Sequence, residues 1–416
     1  MDISNQAQQY FGDLRISVIS TIGYLPIEGA QISIAYTTEP GNVVATATTD
    51  NSGIAQLIQL SAPAFALSQE PSEIQPYTDY NITVEADGYE PIIVTGSEIL
   101  PNELSLQQIR MTPLQVAQGE EEIINIPVHT LFGEYPPKIP EDEIKPMPDT
   151  GEIVLSRVVI PEYIVVHDGL PSDRTAPNYW VRYKDYIKNV ASCEIYSTWP
   201  ENAIYANILV IMSFTLNRVY TEWYKNQGYD FTITSSTAYD QKWIYGRNIF
   251  ENIDYLVDTI FNNYLSRPGV QQPIFTSYCD GQRVTCNGLS QWGSKYLADE
   301  GYSAIEIIRY YYGNDMYINT ADTISGVPSS YPGYALNIGS SGDKVRQLQT
   351  QLNRIARNYP AIPTITADGI YGPATADAIR TFQGIFNLPK TGVTDFATWY
   401  EVSDIYVGVS RIAEPG

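Results

Sequence analysis

The sequence predicts a multidomain protein with an all-β N-terminal part, a central α+β part and a small, mainly helical C-terminal part. Apolar and polar residues alternate in short runs between residues 10 and 113, a pattern typical of half-buried strands. From 153 to 315, β-branched runs mix with helical spacing, and from 334 to 405 helical spacing is broken by glycine turns. A chain of 416 residues is long enough for two or three domains.

We place the N-terminal domain at residues 1–115, where turn clusters such as Asp50–Gly53 separate the alternating runs. The segments 26–30, 49–53 and 80–89 resemble the carboxypeptidase-regulatory-like, transthyretin-type β-sandwich. That resemblance implies a fold and carries no catalytic residues. A pro-domain or chaperone-like module and a spacer or adhesion-type sandwich both remain open.

The next segment, residues 116–152, differs sharply in composition. It holds nine acidic residues against two basic ones, Lys138 and Lys145, and six prolines. Proline removes a backbone donor and disfavours regular elements, so we expect an extended, protease-accessible chain or one lying across a polar groove. The segment is therefore either an acidic, proline-rich linker or a propeptide.

The central domain, residues 153–330, contains strand-like runs at 153–160, 163–166 and 231–234, and helical spacing over 250–265 and after Glu201. Thr198-x-x-Glu201 matches a capping box, with Pro200 in the first turn. We therefore predict that Glu201 caps the helix. Glu194 is not explained by capping and stands between Cys193 and Ile195. A carboxyl among apolar groups has a raised pKa, which suits a general acid; the alternative is a partly exposed helix-end glutamate.

Two blocks, Glu194–Asn207 and Leu289–Gly313, resemble the stage II sporulation protein D family of peptidoglycan lytic transglycosylases. The resemblance implies that Glu194 is the catalytic acid. It implies substrate contacts for Ser290 and Gln291 and, through a weaker block, for Asp240 and Gln241. The departures are Asn207 for a glutamine, Met212 for an arginine, and no histidine near Cys286.

Other chemistries are less well supported by the sequence. The only two histidines, His129 and His167, lie 38 positions apart, which does not fit a zinc peptidase motif. A thiol pair of Cys193 with His167 lacks a local signature. Cys279 and Cys286 could form a disulfide, half of a metal site, or free thiols. We expect no metal and no cofactor. Two rival functions remain: a muramidase-type hydrolase using Glu194 with Asp240, and a non-enzymatic wall-binding activator of an amidase.

The C-terminal domain, residues 331–416, opens with Leu336–Leu352, continues with Asp368–Thr375 and closes near Trp399. Its pattern strongly resembles the peptidoglycan-binding domain type 1. Val345, Leu348, Leu352, Ile379 and Phe382 are core positions by their spacing. The resemblance implies that peptidoglycan is the ligand and that sugar contacts fall near Asp368–Thr375.

Charge and domain order bound the partners and the location. The formal charge of −23 argues against nucleic acid, because phosphate is repelled, and no apolar run suggests a membrane span. The N-terminus shows no secretory signal pattern. The domain order resembles the spore cortex-lytic enzyme precursors of spore-forming anaerobes. That implies a zymogen made in the mother cell, stored in the spore at the cortex and coat, and activated by a subtilisin-like protease during germination to act on cortex peptidoglycan.

Overall fold

A computed structural model describes residues 9–116, 122–145 and 157–410. The parts of the predicted linker at 117–121 and 146–152 lie outside the described residues, as do residues 153–156 of the first strand-like run. The N-terminal part of the chain forms strands and one short 3-10 helix. The strands are β1 (Tyr10–Ser20), β2 (Gln31–Tyr36), β3 (Val43–Thr48), β4 (Ile58–Ala62), β5 (Thr78–Glu85), β6 (Ile92–Ile99), β7 (Leu104–Met111) and β8 (Glu122–Asn125).

The central and C-terminal parts mix short strands with helices. The strands are β9 (Val159–Ile160), β10 (Tyr163–His167), β11 (Asn178–Arg182), β12 (Ile233–Thr234), β13 (Ile249–Phe250), β14 (Asn263–Ser266), β15 (Tyr278–Cys279), β16 (Leu289–Ser290), β17 (Tyr317–Thr320) and β18 (Thr323–Ile324). The helices are α1 (Tyr183–Glu194), α2 (Glu201–Tyr220), α3 (Glu251–Ile260), α4 (Gln291–Asp299), α5 (Ala304–Tyr312), α6 (Asp343–Ile355), α7 (Pro373–Ile385) and α8 (Phe396–Ser410).

Two sheets enclose the N-terminal core. One has the order β13-β7-β1-β4 and the other the order β3-β2-β5-β6-β8. The alternating residues Leu14, Ile16 and Val18 are fully buried between them, as period-two spacing requires. Within the first sheet, β1 pairs parallel with β7. The edge strand β13 comes from the central part of the chain and pairs antiparallel with β7, so this strand joins the two parts. The transthyretin-type assignment stays a prediction.

Strand β8 lies inside the segment for which we predicted no regular element. It pairs parallel with β6, from Glu122 opposite Ile92 to Asn125 opposite Thr95. The first proline of the segment, Pro127, follows the strand. The backbone N–H groups of Glu122–Asn125 therefore remain available to pair at the edge of the sheet. The predicted helix over 250–265 also ends early, at Ile260, because Asn263–Ser266 pairs with β17.

Helix α2 is the centre of the central part and is apolar on nearly every side. Of the described helices, only α2 is long and apolar enough to cross a membrane by length and composition, and 89% of that window is buried inside the fold. A helix that is hydrophobic all round belongs in a core. This burial is compatible with the expected absence of a membrane span.

The predicted capping box at the start of α2 does not form. Pro200 is the N-cap, and the helix has no side-chain cap hydrogen bond. The Thr198 hydroxyl instead donates to Ser68 Oγ at 2.8 Å, and the Trp199 indole N–H donates to the Ser68 carbonyl oxygen at 2.9 Å. Contacts with the N-terminal domain therefore replace the local cap, and Glu201 is left exposed.

The C-terminal part is helical, as predicted. Its five predicted core positions, Val345 to Phe382, are fully buried. Helix α8 also contacts the central part, since Lys184 on α1 forms ion pairs with Glu401 at 2.8 Å and with Asp404 at 2.7 Å. The wall-binding candidate is thus packed against the helix that carries Glu194.

Candidate active site

Glu194 is the last residue of α1 and is completely buried. The alternative of a partly exposed glutamate at a helix end is therefore wrong about exposure, although Glu194 does lie at the end of a helix. The neighbouring Cys193 is a buried free thiol whose pKa burial raises to about 12. A thiol with that pKa is not ionised near neutral pH, so this environment suits a carboxylic acid better than a thiolate nucleophile.

Two donors hold the Glu194 carboxylate in place. The backbone N–H of Lys242 donates to Oε1 at 2.7 Å, and Gln291 Nε2 donates to Oε2 at 3.4 Å. The amide oxygen of Gln291 is buried and has no hydrogen-bond partner among the described residues. Gln291 is therefore both a positioning group for Glu194 and an unused acceptor beside it.

Burial is the main influence on the pKa of Glu194 and raises it above the ordinary value. The Lys138 ammonium, the Lys242 N–H and the Tyr278 hydroxyl oppose that shift. The Tyr278 hydroxyl faces the carboxylate but forms no hydrogen bond of ordinary geometry with any described residue. A carboxyl with a raised pKa holds its proton to higher pH, which a general acid needs.

Residues 129–145, which we call the strap, lie over Glu194. The buried Tyr135 ring lies close enough to the carboxylates of Glu194 and Asp280 that both raise the pKa of its hydroxyl, after burial itself. The half-buried Lys138 donates to the Asp240 carbonyl oxygen at 2.6 Å, and its ammonium lies 4.9 Å from the Tyr278 ring centroid. An aromatic ring and a cation from the acidic segment thus occupy the space beside the candidate acid.

Two bidentate ion pairs fasten the far end of the strap. Glu141 accepts from both terminal nitrogens of Arg218 at 2.7 Å, and Glu143 accepts from Arg267 at 2.9 and 2.8 Å. Lys145 adds an ion pair with Glu141 at 2.6 Å. Bidentate, partly buried pairs of this kind are geometrically specific. The acidic residues of the segment therefore make defined contacts with the central domain.

Asp240 and Gln241, predicted to face the sugar, are structural residues in this fold. Both carboxylate oxygens of buried Asp240 are engaged, by Arg218 Nε at 2.7 Å and by the Tyr224 hydroxyl at 2.6 Å, with further bonds from Thr234. Gln241 Oε1 accepts from Thr215, and its Nε2 donates to the Ile211 carbonyl oxygen. Buried polar groups are usually paired in this way, so these contacts hold both residues in the core, and substrate contact by either residue stays a prediction.

Ser290 and Gln291 begin helix α4. The Ser290 hydroxyl caps the helix by accepting from the Gly293 N–H at 2.9 Å. A Cβ at Gly293 would lie 2.0 Å from the Tyr311 hydroxyl oxygen, so any larger residue there would have to displace the Tyr311 ring. The Ser-Gln-Trp-Gly block therefore places the Gln291 side chain next to Glu194. Sugar contact by Ser290 or Gln291 stays a prediction.

The cysteines and histidines take structural positions. Cys279 and Cys286 form a disulfide, which decides among the three options left open by the sequence. His167 contacts Asn178 Oδ1 at 2.8 Å and stacks on Phe231 at 4.5 Å. Within the described residues, no group of three or more His, Cys, Asp or Glu side chains is arranged to hold a metal ion.

Sequence reasoning missed the groups around Glu194 that come from elsewhere in the chain. They are Tyr135, Lys138, Lys242 and Tyr278. Only Lys138 carried a local signal, because it is one of two cations in a segment of acids. The others meet Glu194 only through the fold.

The C-terminal loop predicted to contact sugar is organised around buried Gln349. Its Nε2 donates to Asp368 Oδ1 and Thr375 Oγ1, each at 3.1 Å. Beside this loop, a cavity of about 380 Å³ is lined by Arg346, Thr350 and Tyr406 among others. Asp368 and Thr375 thus shape the loop, and which residues contact sugar stays a prediction.

Comparison with known proteins bears on this C-terminal region. Residues 341–401 match the family described as peptidoglycan binding domain. The zinc D-Ala-D-Ala carboxypeptidase of Streptomyces albus G is 40% identical over 68 residues, which are 16% of this chain and 25% of that protein. The chain thus spans a quarter of the length of this curated relative.

Solved structures show weaker likeness. The Bacillus anthracis TIE protein matches at 21% identity and a TM-score of 0.19, covering 25% of this chain and 18% of that one. The minor pilin GBS52 of Streptococcus agalactiae matches at 14% identity and a TM-score of 0.19, covering 27% and 48%. The firm assignment is the one made by the sequence family: the C-terminal region of the chain is a peptidoglycan-binding domain, and this indicates a cell-wall-associated protein.

Proposed function

We propose that the chain is the inactive precursor of a peptidoglycan lytic transglycosylase, anchored to its substrate by the C-terminal domain. The observation that carries the proposal is the geometry of the buried Glu194 carboxyl, which has two fixed donors and a raised pKa. The resemblance of its sequence block to the stage II sporulation protein D family supplies the reaction class. The spore cortex as substrate, the germination role and a subtilisin-like activating protease rest on the resemblance in domain order.

In this reaction Glu194 donates its proton to the glycosidic oxygen between N-acetylmuramic acid and N-acetylglucosamine, and that bond breaks. The resulting carboxylate then takes the proton of the muramic 6-hydroxyl, whose oxygen bonds to the anomeric carbon and closes a 1,6-anhydro ring. The proton lost in the first step is regained in the second. The attack is intramolecular, so no bound water is needed.

The position of Asp240 favours this reaction over a muramidase-type hydrolysis. Glycoside hydrolysis uses two carboxyl groups, one as acid and one as nucleophile or base. Asp240, the second carboxylate suggested by the sequence, is held by Arg218, Tyr224 and Thr234. A carboxylate with all its contacts satisfied inside the core is a poor base for an external water.

The strap supports the precursor part of the proposal. Tyr135 and Lys138 lie near the buried Glu194 carboxyl, and we infer that they must move before a sugar can reach it. The ammonium of Lys138 also lowers the pKa of Glu194, which favours the carboxylate, the form that cannot donate a proton. Cleavage between residues 145 and 157 would break the covalent link between the strap and the central domain. Only ion pairs and hydrogen bonds, such as those of Glu141 with Arg218 and of Lys145 with Gln272, would then hold the strap in place.

The test uses the folded full chain with a recognition sequence for a specific protease inserted between residues 145 and 157. Cut and uncut protein are incubated with purified cortex peptidoglycan, and the released muropeptides are analysed by mass spectrometry. We expect anhydro-muramic ends from the cut protein and little product from the uncut one. Hydrated reducing ends would identify a muramidase. Equal release by both forms would remove the precursor role. No product from either form would leave a wall-binding activator.

A further inference from the structure

A second cleft lies where the N-terminal, central and C-terminal parts of the chain meet. Its volume is about 400 Å³, and its lining includes Arg110 from the N-terminal sheet, Tyr179 and Trp243 from the central part, and Phe386 and Asn387 from the C-terminal domain. Phe386 and Asn387 fall within the range matched by the peptidoglycan-binding family. The cleft is thus built partly by the domain whose ligand class is assigned.

Aromatic rings form one wall of this cleft. Tyr179 stacks on Tyr245 with centroids 5.0 Å apart and lies 5.3 Å from the Trp243 ring. Trp180 is 73% exposed and Tyr245 is 41% exposed, although both line the cleft. Trp243 is only 4% exposed, yet its buried indole N–H has no acceptor among the described residues. The exposed rings of Trp180 and Tyr245 suit the apolar faces of a sugar.

Two arginines give the cleft a positive side. Four carboxylates also line the cleft, those of Asp185, Asp254, Glu401 and Asp404. The last three are paired with Lys184 or Lys188 of the same lining. Arg15 donates to the Gly384 carbonyl oxygen, and the Arg110 guanidinium lies 5.5 Å from the Tyr24 ring centroid. Neither of the two forms an ion pair within 4.0 Å in the described part of the chain. Unpaired cations in a protein of charge −23 select an anionic ligand locally, while the overall charge repels a polyphosphate.

The aromatic wall is directly connected to Glu194. The backbone N–H of Lys242 holds the Glu194 carboxylate at 2.7 Å. Ile244, two residues later, is fixed by Asn189, which accepts from its N–H at 3.0 Å and donates to its carbonyl oxygen at 2.8 Å. The alternate residues Trp243 and Tyr245 line the cleft. A ligand on this wall therefore contacts the segment that positions the candidate acid.

We propose that this cleft is a second glycan-binding site, which takes a short peptidoglycan strand through its amino-sugar rings and muramic carboxylates. The sugar rings stack on the exposed Trp180 and Tyr245 rings of the wall, and Arg110 pairs with a carboxylate. The ligand class rests on the peptidoglycan-binding match. Only the connection to Glu194 rests on the proposed function, so the glycan-binding site and the proposed function can be refuted independently.

The test is calorimetric titration of the full chain with a soluble tetrasaccharide of alternating N-acetylglucosamine and N-acetylmuramic acid. We expect two classes of site, one in the C-terminal domain and one in the cleft. Trp180→Ala combined with Arg110→Gln removes an exposed ring and an exposed cation, so folding should survive. The double variant should weaken one class roughly 30-fold or more and leave the other unchanged. Tyr310→Ala with Lys225→Gln, an exposed ring and cation elsewhere, is the matched control.

Each other outcome overturns the proposal. A double variant whose titration matches the parent shows that the cleft does not bind. Equal binding of neutral tetra-N-acetylglucosamine at the cleft shows that the carboxylate is not recognised. A single class of site that survives in the double variant places all binding in the C-terminal domain, and no binding by the parent removes both sites. Thermal unfolding of each variant verifies folding, and Tyr245→Ala is the second variant if the first is unfolded.

Discussion

Glu194→Gln should abolish bond cleavage while leaving the fold intact. In the parent protein the Lys242 N–H lies 2.7 Å from Glu194 Oε1, and the amide oxygen of the variant can still accept this hydrogen bond. Its amide group replaces Oε2, which faces Gln291 Nε2 at 3.4 Å. The new amide nitrogen would then face the Gln291 amide nitrogen, and both groups are donors. Because the buried Gln291 amide oxygen has no partner among the described residues, rotation of the Gln291 amide would turn this oxygen toward the new nitrogen and restore a hydrogen bond.

The magnitudes follow from this geometry. Both polar atoms of the new side chain keep a partner, so we expect the free energy of unfolding to change by no more than about 1 kcal/mol. The proton donor is lost, and general acid–base catalysis is typically worth ~10²–10⁴ in rate. One residue that serves both steps should lie at the upper end. The cut protein is assayed by the rate of anhydro-muropeptide release, and stability is measured by denaturant unfolding.

Glu201→Gln is the matched control, because Glu201 is exposed and makes no cap hydrogen bond in the structure. Its rate and stability should equal those of the parent. If the Glu194→Gln variant cleaved peptidoglycan and the Glu201→Gln variant did not, the alignment of the sequence block with the family would be refuted. Full activity in both variants would place the catalytic acid elsewhere, and Asp280, which is buried near Tyr135, would be examined next.

Three further predictions concern the strap, the disulfide and pH. Glu141→Gln removes a carboxylate that fastens the strap, so product release by the uncut chain should rise, roughly tenfold; an unchanged rate contradicts this. Cys279→Ser with Cys286→Ser should lower the free energy of unfolding by ~2–3 kcal/mol and spare activity; a folded, inert double variant or bound zinc contradicts it. Burial raises the pKa of Glu98 to about 7, although the Arg247 guanidinium, which donates to both carboxylate oxygens, opposes the shift. The contribution of this raised pKa to stability is therefore complete below about pH 4.5 and is lost as pH rises through 7. Denaturant unfolding at pH 5 and 8 should show that Glu98→Gln lacks this loss, whereas Glu201→Gln retains it.

Local patterns were sufficient for much of the fold. Alternation located the strands around Leu14 and Ile82, and helical spacing located the C-terminal core around Val345 and Phe382. These patterns work because burial of one face imposes the period of the element on the sequence. They failed at α2, where Thr198 bonds to Ser68, a residue 130 positions away, instead of capping its own helix.

The candidate site divides in the same way. The sequence by itself determined that Glu194 is set apart from capping, that Gln291 belongs to a separate block, and that the C-terminal region has the pattern of a peptidoglycan-binding domain. Only the tertiary structure decided that Asp240 is a core ion-pair partner, that Tyr135 and Lys138 lie over Glu194, and that Lys242 holds it. The physical reason is that a pKa, a hydrogen bond and an occluded surface depend on distances between residues far apart in the chain, which local propensity and spacing do not encode.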